Sequence, residues 1–256
     1  MYWYLSHICS THLGHLDRIR TFTVATAKRN LTALAGKKRD AVERHSVLQK
    51  SLRLLERLST QIVAIDAFAI SLHALYVLLG RHHILPTASS SQAYSSERLR
   101  YELRMKPFLP ITLPELVPYD DYRREALLEG DSDGAVLERA TKAITEARKA
   151  WETTLANGAF APFAPSSPDS TSSTAPAIEE DWKKDVKDTM RACIGTSLAI
   201  ESLKKGLAMR NTSKGSSPDS SSVDLRVDIP EVGTKARFHD WWAVPQISQN
   251  TLRSKT

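Results

Sequence analysis

Glycine is scarce in this chain, ten of 256 residues. None of the ten sits in a GxGxxG or Walker sequence, so the phosphate-cradling loops of nucleotide-binding folds are excluded. Cysteine is scarcer still: Cys9 and Cys193 lie far apart and match no metal or redox spacing. They read as small buried apolar residues of a reducing compartment. No proline precedes Pro86, which leaves nothing to kink a helix in the first third of the chain. β-Branched runs are few and charge is ordinary, so the composition predicts a mainly α fold. The expected architecture is a multi-helix scaffold with disordered Ser/Pro-rich linkers and a short β-like C-terminal tail. The opening MYWYLSHICSTHLGHL has no basic leader and is broken by His7, Ser10 and His12, so no signal peptide is expected.

What the chain does have is a long apolar stretch from Val47 to Leu79. Leu48, Leu52, Leu55, Leu58, Ile62, Ile65, Ala69, Leu72, Tyr76 and Leu79 recur at helical spacing along one face. Through Leu58 the other face carries Lys50, Arg53, Glu56 and Arg57. Beyond Ile62 it turns apolar as well, with Val63, Phe68, Ile70, Leu75, Val77 and Leu78, and needs cover on all sides. A bilayer could give that cover, since a span takes about 20 residues. Asp66 and His73 argue against it, because a central Asp costs roughly 2.5 to 3.5 kcal/mol on insertion scales. A buried core helix, with no membrane partner, is the expectation.

The pattern divides the chain into a helical core region over 1–85, a linker at 86–96, and a short helix, proline-rich strap and helix over 97–157. A disordered linker at 158–175, a long helix over 176–210 and a second disordered linker at 211–222 follow, then a strand and aromatic tail over 223–256. Tyr2 opens an apolar helix with no cap before it, as in a chain entered in mid-helix. That predicts the C-terminal part of a longer protein. A second helix is expected over 15–35, with Gly36 as its C-cap, and a third from a capping box at Asp40 and Glu43. Pro110, Pro114 and Pro118 should hold 108–119 extended. Asp131 to Asp133 begins like a calcium loop, but Ala135 and Val136 replace a ligand and a glycine, so a helix cap is expected and no metal site. Val223, Leu225, Val227 and Ile229 alternate with charged residues as a strand does. It pairs either with 243–247 or with another protein's sheet. Phe238, Trp241 and Trp242 form an aromatic cluster that anchors the tail to this protein or to a neighbour.

The formal net charge of +6 is concentrated before Thr60. Lys28, Arg29, Lys37, Lys38 and Arg39 are the candidate contacts to a polyanion, the last three on a short turn between helices; a solvated helix face is the plainer reading. Enzyme chemistry finds little footing. Gly195-Thr196-Ser197-Leu198-Ala199 resembles a nucleophile elbow but lies inside a helix rather than on a strand-to-helix turn. His82-His83 and His239-Asp240 lack a carboxylate or cysteine cluster beside them.

At Arg100, Tyr101, Glu102, Arg104, Pro107 and Phe108 the sequence resembles the R-Y-E-x-R-x-x-P-F motif of the large auxiliary subunit of the NatC N-terminal acetyltransferase complex. Tyr2-Trp3-Tyr4-Leu5 is similar to the aromatic helix ahead of that motif. Pro230 with Phe238 to Ile247, which includes Trp241, Trp242 and Pro245, is similar to the family's C-terminal signature. The resemblance implies a non-catalytic, cytoplasmic helical scaffold that holds the catalytic NatC subunit beside the small auxiliary subunit and contributes to ribosome attachment. It implies docking roles for Arg100, Tyr101, Arg104, Pro107, Phe108, Phe238, Trp241, Trp242 and Pro245, and an rRNA-facing role for the basic cluster. No cofactor and no small-molecule substrate of its own are implied; no Arg or Gln stands three residues before a glycine as the R/Q-x-x-G-x-G/A acetyl-CoA pattern requires. For the residues of the arginine-tyrosine motif, pinning the 108–119 strap to the core stands as an equal alternative to docking. For the whole chain, the alternatives are a helical ribosome- or RNA-binding module with no acetyltransferase partner, and a hydrolase in which Ser197, His82 or His239 converge.

Overall fold

The apolar face that starts at Tyr2 and the one that ends at Leu79 meet across a helical hairpin. The computed structural model describes residues 2–33, 38–85, 101–103, 117–157, 174–213, 223–230 and 242–251. Helix α1 (Tyr2–Ala33) packs against α2 (Lys38–Arg81), and the Ser6 hydroxyl donates to Asp66 Oδ1 at 2.5 Å near the base of the pair. At ~1.5 Å per residue, the 44 residues of α2 run about 66 Å. The two helices expected over 2–14 and 15–35 are therefore one. Gly14 does not break it, because a single exposed glycine inside a helix costs only about 1 kcal/mol.

The second half of α2 receives the cover its sequence demands. Phe68, Leu72, Leu75, Leu78 and Leu79 are fully buried. Much of that cover comes from a helix just past the chain's midpoint, α4 (Asp133–Ala156), which presents Val136, Ala140, Ile144, Ala147 and Trp151. The buried Ser71 hydroxyl donates to the Ala140 carbonyl at 3.0 Å, so this contact hides no unpaired polar group on that side chain. The span Arg44–Arg81 includes a window long and apolar enough to cross a membrane, but its central residues are enclosed by protein.

A short helix, α3 (Tyr119–Ala126), precedes α4 and was not expected from the pattern; Pro118 and the acidic Asp120 and Asp121 of its first turn are the signal for it. Helix α4 starts at Asp133 because Ser132 caps it, its Oγ accepting from the Ala135 N–H at 3.2 Å. Helix α5 (Thr174–Ser213) packs on α4 and extends beyond the expected 176–210 at both ends. The expected linker at 86–96, and nearly all of those at 158–175 and 211–222, lie outside the described residues.

The alternating tail segment forms β1 (Val223–Asp228), antiparallel to β2 (Gln246–Thr251), with Val227 opposite Ile247 and Leu225 opposite Gln249. The ribbon partner overlaps the expected 243–247 at Gln246 and Ile247 and continues to Thr251. This ribbon rests on α5 at Gly206, where a Cβ would stand 2.5 Å from Leu225 Cδ2. Glycine is required there for close approach, as its φ is ordinary.

Candidate functional site

Three features converge at the base of the hairpin. The first is an aromatic junction that ties the tail to α1 and α2. Trp242, 5% exposed, stacks on Tyr2 at 6.0 Å between ring centroids and lies 4.4 Å from the ring of Phe68. The next peptide is held on both sides: the Tyr76 hydroxyl donates to the Ala243 carbonyl at 2.6 Å, and the Ala243 N–H donates to the Tyr2 hydroxyl at 3.0 Å. Burial raises the pKa of both tyrosines, which keeps their hydroxyls protonated. Pro245 is fully buried beyond them. Trp242 and Pro245 are therefore internal anchors in this chain, and any effect on a partner passes through the position of the tail they fix. Phe238 and Trp241 lie outside the described residues.

The second feature is a tyrosine cluster around the arginine-tyrosine motif. Tyr101 is 4% exposed, its ring stacks on Tyr122 at 4.1 Å, and its hydroxyl donates to the Val117 carbonyl at 2.7 Å. Tyr4, Trp3, Ile8 and Tyr119 complete the cluster. Burial, with the neighbouring Tyr122 and Tyr4 hydroxyls, pushes the Tyr101 phenol up to about 12. Residues 101 and 117 are thus pinned together against the start of α1. Glu102 is exposed, while Arg100, Arg104, Pro107 and Phe108 lie outside the described residues.

The third is a cavity of about 550 Å³ between α1, α2 and α3, walled by Trp3, His73, Tyr76, Val77, Leu85 and Tyr122. Arg81 and Glu129 also reach it, but both charges are engaged. Arg81 Nη2 donates to the carbonyls of Leu127 and Leu128 at 3.1 and 2.7 Å, and Nη1 to the Asp131 carbonyl and Asp133 Oδ1 at 2.9 and 3.0 Å. Glu129 accepts from Arg123 Nε at 2.8 Å. Arg81 thereby stabilises the turn between α3 and α4, in which Leu128 and Gly130 take positive φ of 51° and 98°. Sequence reasoning missed this role, although an arginine closing an apolar helix is a recognisable C-terminal signal. Burial lowers the His73 pKa to about 4, so its imidazole is neutral near pH 7.

Away from the base the hairpin is open and basic. Arg18, Arg20, Arg29, Arg44, Lys50 and Arg53 are exposed on it, beside exposed Ile19, Phe22, Val42 and Val47. Of the expected cluster, Arg29 is on this surface, Lys28, Lys38 and Arg39 lie on the helix ends without a described side chain, and Lys37 lies outside the described residues.

The residues weighed for hydrolysis stay apart in role. Ser197 Oγ donates to the Cys193 carbonyl of its own helix at 3.1 Å, and His82 Nε2 stands 3.0 Å from Asp133 Oδ2 at the start of α4. His239 lies outside the described residues. Cys9 and Cys193 are buried free thiols, both pushed up to about 12, chiefly by burial, and so unreactive as nucleophiles at neutral pH. Among the described residues no group of three or more His, Cys, Asp or Glu side chains could hold a metal ion.

Stacked helices with a tail ribbon closing onto them, held by side-chain hydrogen bonds such as Tyr76 to Ala243 and Arg81 to the α3–α4 turn, define a mainly α multi-helix scaffold. Within that class the chain belongs to the NAA35-like family of TPR repeats, which it matches over residues 1–244. No curated protein matches the sequence. Among solved structures, the chain is similar to one from the NatC complex bound to Gag peptide and CoA, at 18% identity and a TM-score of 0.63 over 99% of this chain and 37% of that one. It is similar to one from the apo NatC complex at 19% identity and a TM-score of 0.59, covering 98% of this chain and 36% of that one. The chain thus spans a little over a third of the solved chains it matches. At these identities the likeness establishes the fold.

Proposed function

We propose that the chain is a non-catalytic auxiliary scaffold of a NatC-type N-terminal acetyltransferase complex, corresponding to the C-terminal part of the longer family chains. It supports the catalytic subunit alongside the small auxiliary subunit, in the cytoplasm and at the ribosome, and the transfer chemistry belongs to the partner. The observation that carries this reading is the family match over nearly the whole chain. The motif order supports the C-terminal assignment: aromatic helix, arginine-tyrosine motif, aromatic tail. In this reading Arg100, Arg104, Pro107, Phe108, Phe238 and Trp241 contribute to docking, Tyr101, Trp242 and Pro245 hold the segments that present them, and the basic hairpin meets rRNA phosphates. The test is co-expression of tagged chain with the catalytic and small NatC subunits, followed by size exclusion. A stoichiometric complex is expected; folded chain eluting alone would refute the assembly reading.

The basic hairpin favours a second reading, a helical ribosome- or RNA-binding module with no acetyltransferase partner. It predicts ribosome binding that falls steeply with salt and is indifferent to the aromatic tail. In either reading, charge reversal at Lys37, Lys38 and Arg39 should weaken ribosome co-sedimentation. Unchanged sedimentation removes that cluster from the ribosome-facing surface.

A further inference from the structure

The positive charge of this protein is not spread over it. Residues 17–57 carry eleven Lys and Arg against four Asp and Glu, an excess larger than the +6 of the whole chain, so the remainder is close to neutral. Residues 17–33 and 38–57 are the distal halves of α1 and α2, away from the enclosed base. Among the described residues, Arg18, Arg20, Lys50 and Arg53 are exposed and engaged in no ion pair. Such a surface attracts a polyanion.

Charge alone does not distinguish one polyanion from another, but an aromatic ring set among the cations does. Phe22 is 73% exposed, so its ring serves no core. His15, Arg18, Phe22, Ala25 and Arg29 succeed one another at steps of three and four, and all are exposed, so they line one outward stripe of α1. Ala25 is too short to cover the ring beside it. At ~1.5 Å per residue, Arg18 lies about 6 Å from Phe22 along the axis on one side and Arg29 about 10 Å on the other. A cation to each side of an open ring suits a strand whose bases stack while its phosphates are held. In an A-form duplex the bases stack on one another and offer no free face, so this ring can engage only an unpaired nucleotide. A bilayer gains little here, because an interfacial helix needs a continuous apolar face and Phe22 is the one large apolar side chain on its stripe.

We propose that the distal hairpin binds unpaired RNA, with Phe22 as the platform on which one base stacks and Arg18, Arg20, Lys50 and Arg53 holding phosphates of the same strand. The inference rests on the ribosome-facing reading of the basic hairpin and deepens it: the surface selects looped or single-stranded segments over duplex backbone. It also shifts the contact from the turn at 37–39 to the body of the hairpin, where the discriminating side chain stands. The cations on the Phe22 stripe are arginines, whose planar guanidinium pairs with phosphate bidentately and stacks on flat rings, as a lysine ammonium does not.

The test titrates the full chain, by fluorescence anisotropy, against three labelled probes: an oligouridine single strand, an RNA duplex of equal length, and heparin, a polyanion without bases. Phe22→Leu keeps the side chain apolar and removes its π-face, and Phe22→Trp supplies a larger one; both variants should melt as the wild type does, since Phe22 lies outside the core. Phe22→Leu is expected to weaken the single strand by about fivefold or more and to leave duplex and heparin within about twofold, with Phe22→Trp restoring the single strand. Arg18→Gln with Arg53→Gln should weaken all three probes and flatten their salt dependence. Equal, small effects of Phe22→Leu on every probe overturn the platform and leave the phosphate reading standing. Absence of RNA binding by the folded wild-type chain overturns both. Phe22-dependent binding of oligouridine without ribosome co-sedimentation supports the platform and removes the ribosome as the source of its RNA. Binding to phosphatidylserine vesicles in preference to oligouridine, undiminished in Phe22→Leu, overturns the platform in favour of a membrane surface.

Discussion

Residues 64–79 of α2 and residues 42–57 of the same helix both carry a leucine-rich face, yet the first is enclosed and the second stands beside exposed Val42, Val47 and a row of cations. The difference lies in the other face of each half. Phe68, Leu75 and Leu78 on the enclosed half recruit α4, α1 and the Trp242 tail; Lys50, Arg53 and Glu56 on the open half leave water as the cheaper neighbour. Full burial of each large apolar side chain contributes about 1.5–3 kcal/mol, so stability is concentrated at the base. The distal hairpin keeps its helices through their shared face and is free to present charge.

The largest test of that contrast is a pair of phenylalanine deletions. Phe68→Ala, at a residue with 0% exposure against Trp242, should cost about 3–5 kcal/mol in urea unfolding. Phe22→Ala, at 73% exposure on the distal hairpin, should stay within about 0.5 kcal/mol. Comparable losses at both sites would erase the distinction.

Acid comes next. Folded His73 stays neutral down to about 4, whereas in the unfolded chain it takes its proton near 6.5. Between those values the unfolded chain binds more protons, so this residue's contribution to stability falls as pH drops from 6.5 to about 4, by up to roughly 3 kcal/mol. Asp66 acts in the opposite sense, because burial raises its pKa against the smaller lowering by Ser6, so the folded state takes its proton first. In an Asp66→Asn background the His73 loss should show fully in denaturation curves, and His73→Phe should remove it.

Tyr76→Phe should cost about 1–3 kcal/mol by leaving the part-buried Ala243 carbonyl without its donor, seen as a lower urea midpoint and faster exchange of the Ala243 amide. The smallest effects come from two glycines of opposite sign. Gly206→Ala drives a methyl into Leu225, and the overpacking of about 1–3 kcal/mol outweighs the helical gain of about 1 kcal/mol. Gly14→Ala has nothing within 4 Å and should stabilise α1 by up to about 1 kcal/mol. Thermal melts of the two single variants read both signs.

Much of this division was legible in the sequence. The switch from a one-sided to a two-sided apolar pattern near Ile62 marks the boundary between the open and enclosed halves of α2, and alternation at Val223 to Val227 marks the ribbon. Helix number was harder: the apolar pattern read as two helices, the second from His15, runs through one continuous helix, and α3 hid behind prolines that read as extended chain. The base was not legible as a site. Its parts, Tyr2, Tyr76, His73, Tyr101, Arg81 and Ala243, come from distant segments, and periodicity reports which face a residue shares but not which other face it meets. Trp242 was legible as an anchor, though not that its anchorage lies within the chain.

The most direct measurement is native-state hydrogen exchange along α2, read residue by residue. The account predicts protection near the global unfolding free energy from Ala64 to Leu79, and local opening at markedly lower free energy from Val42 to Arg57. Uniform protection along the helix, or stronger protection in the distal half, would contradict it.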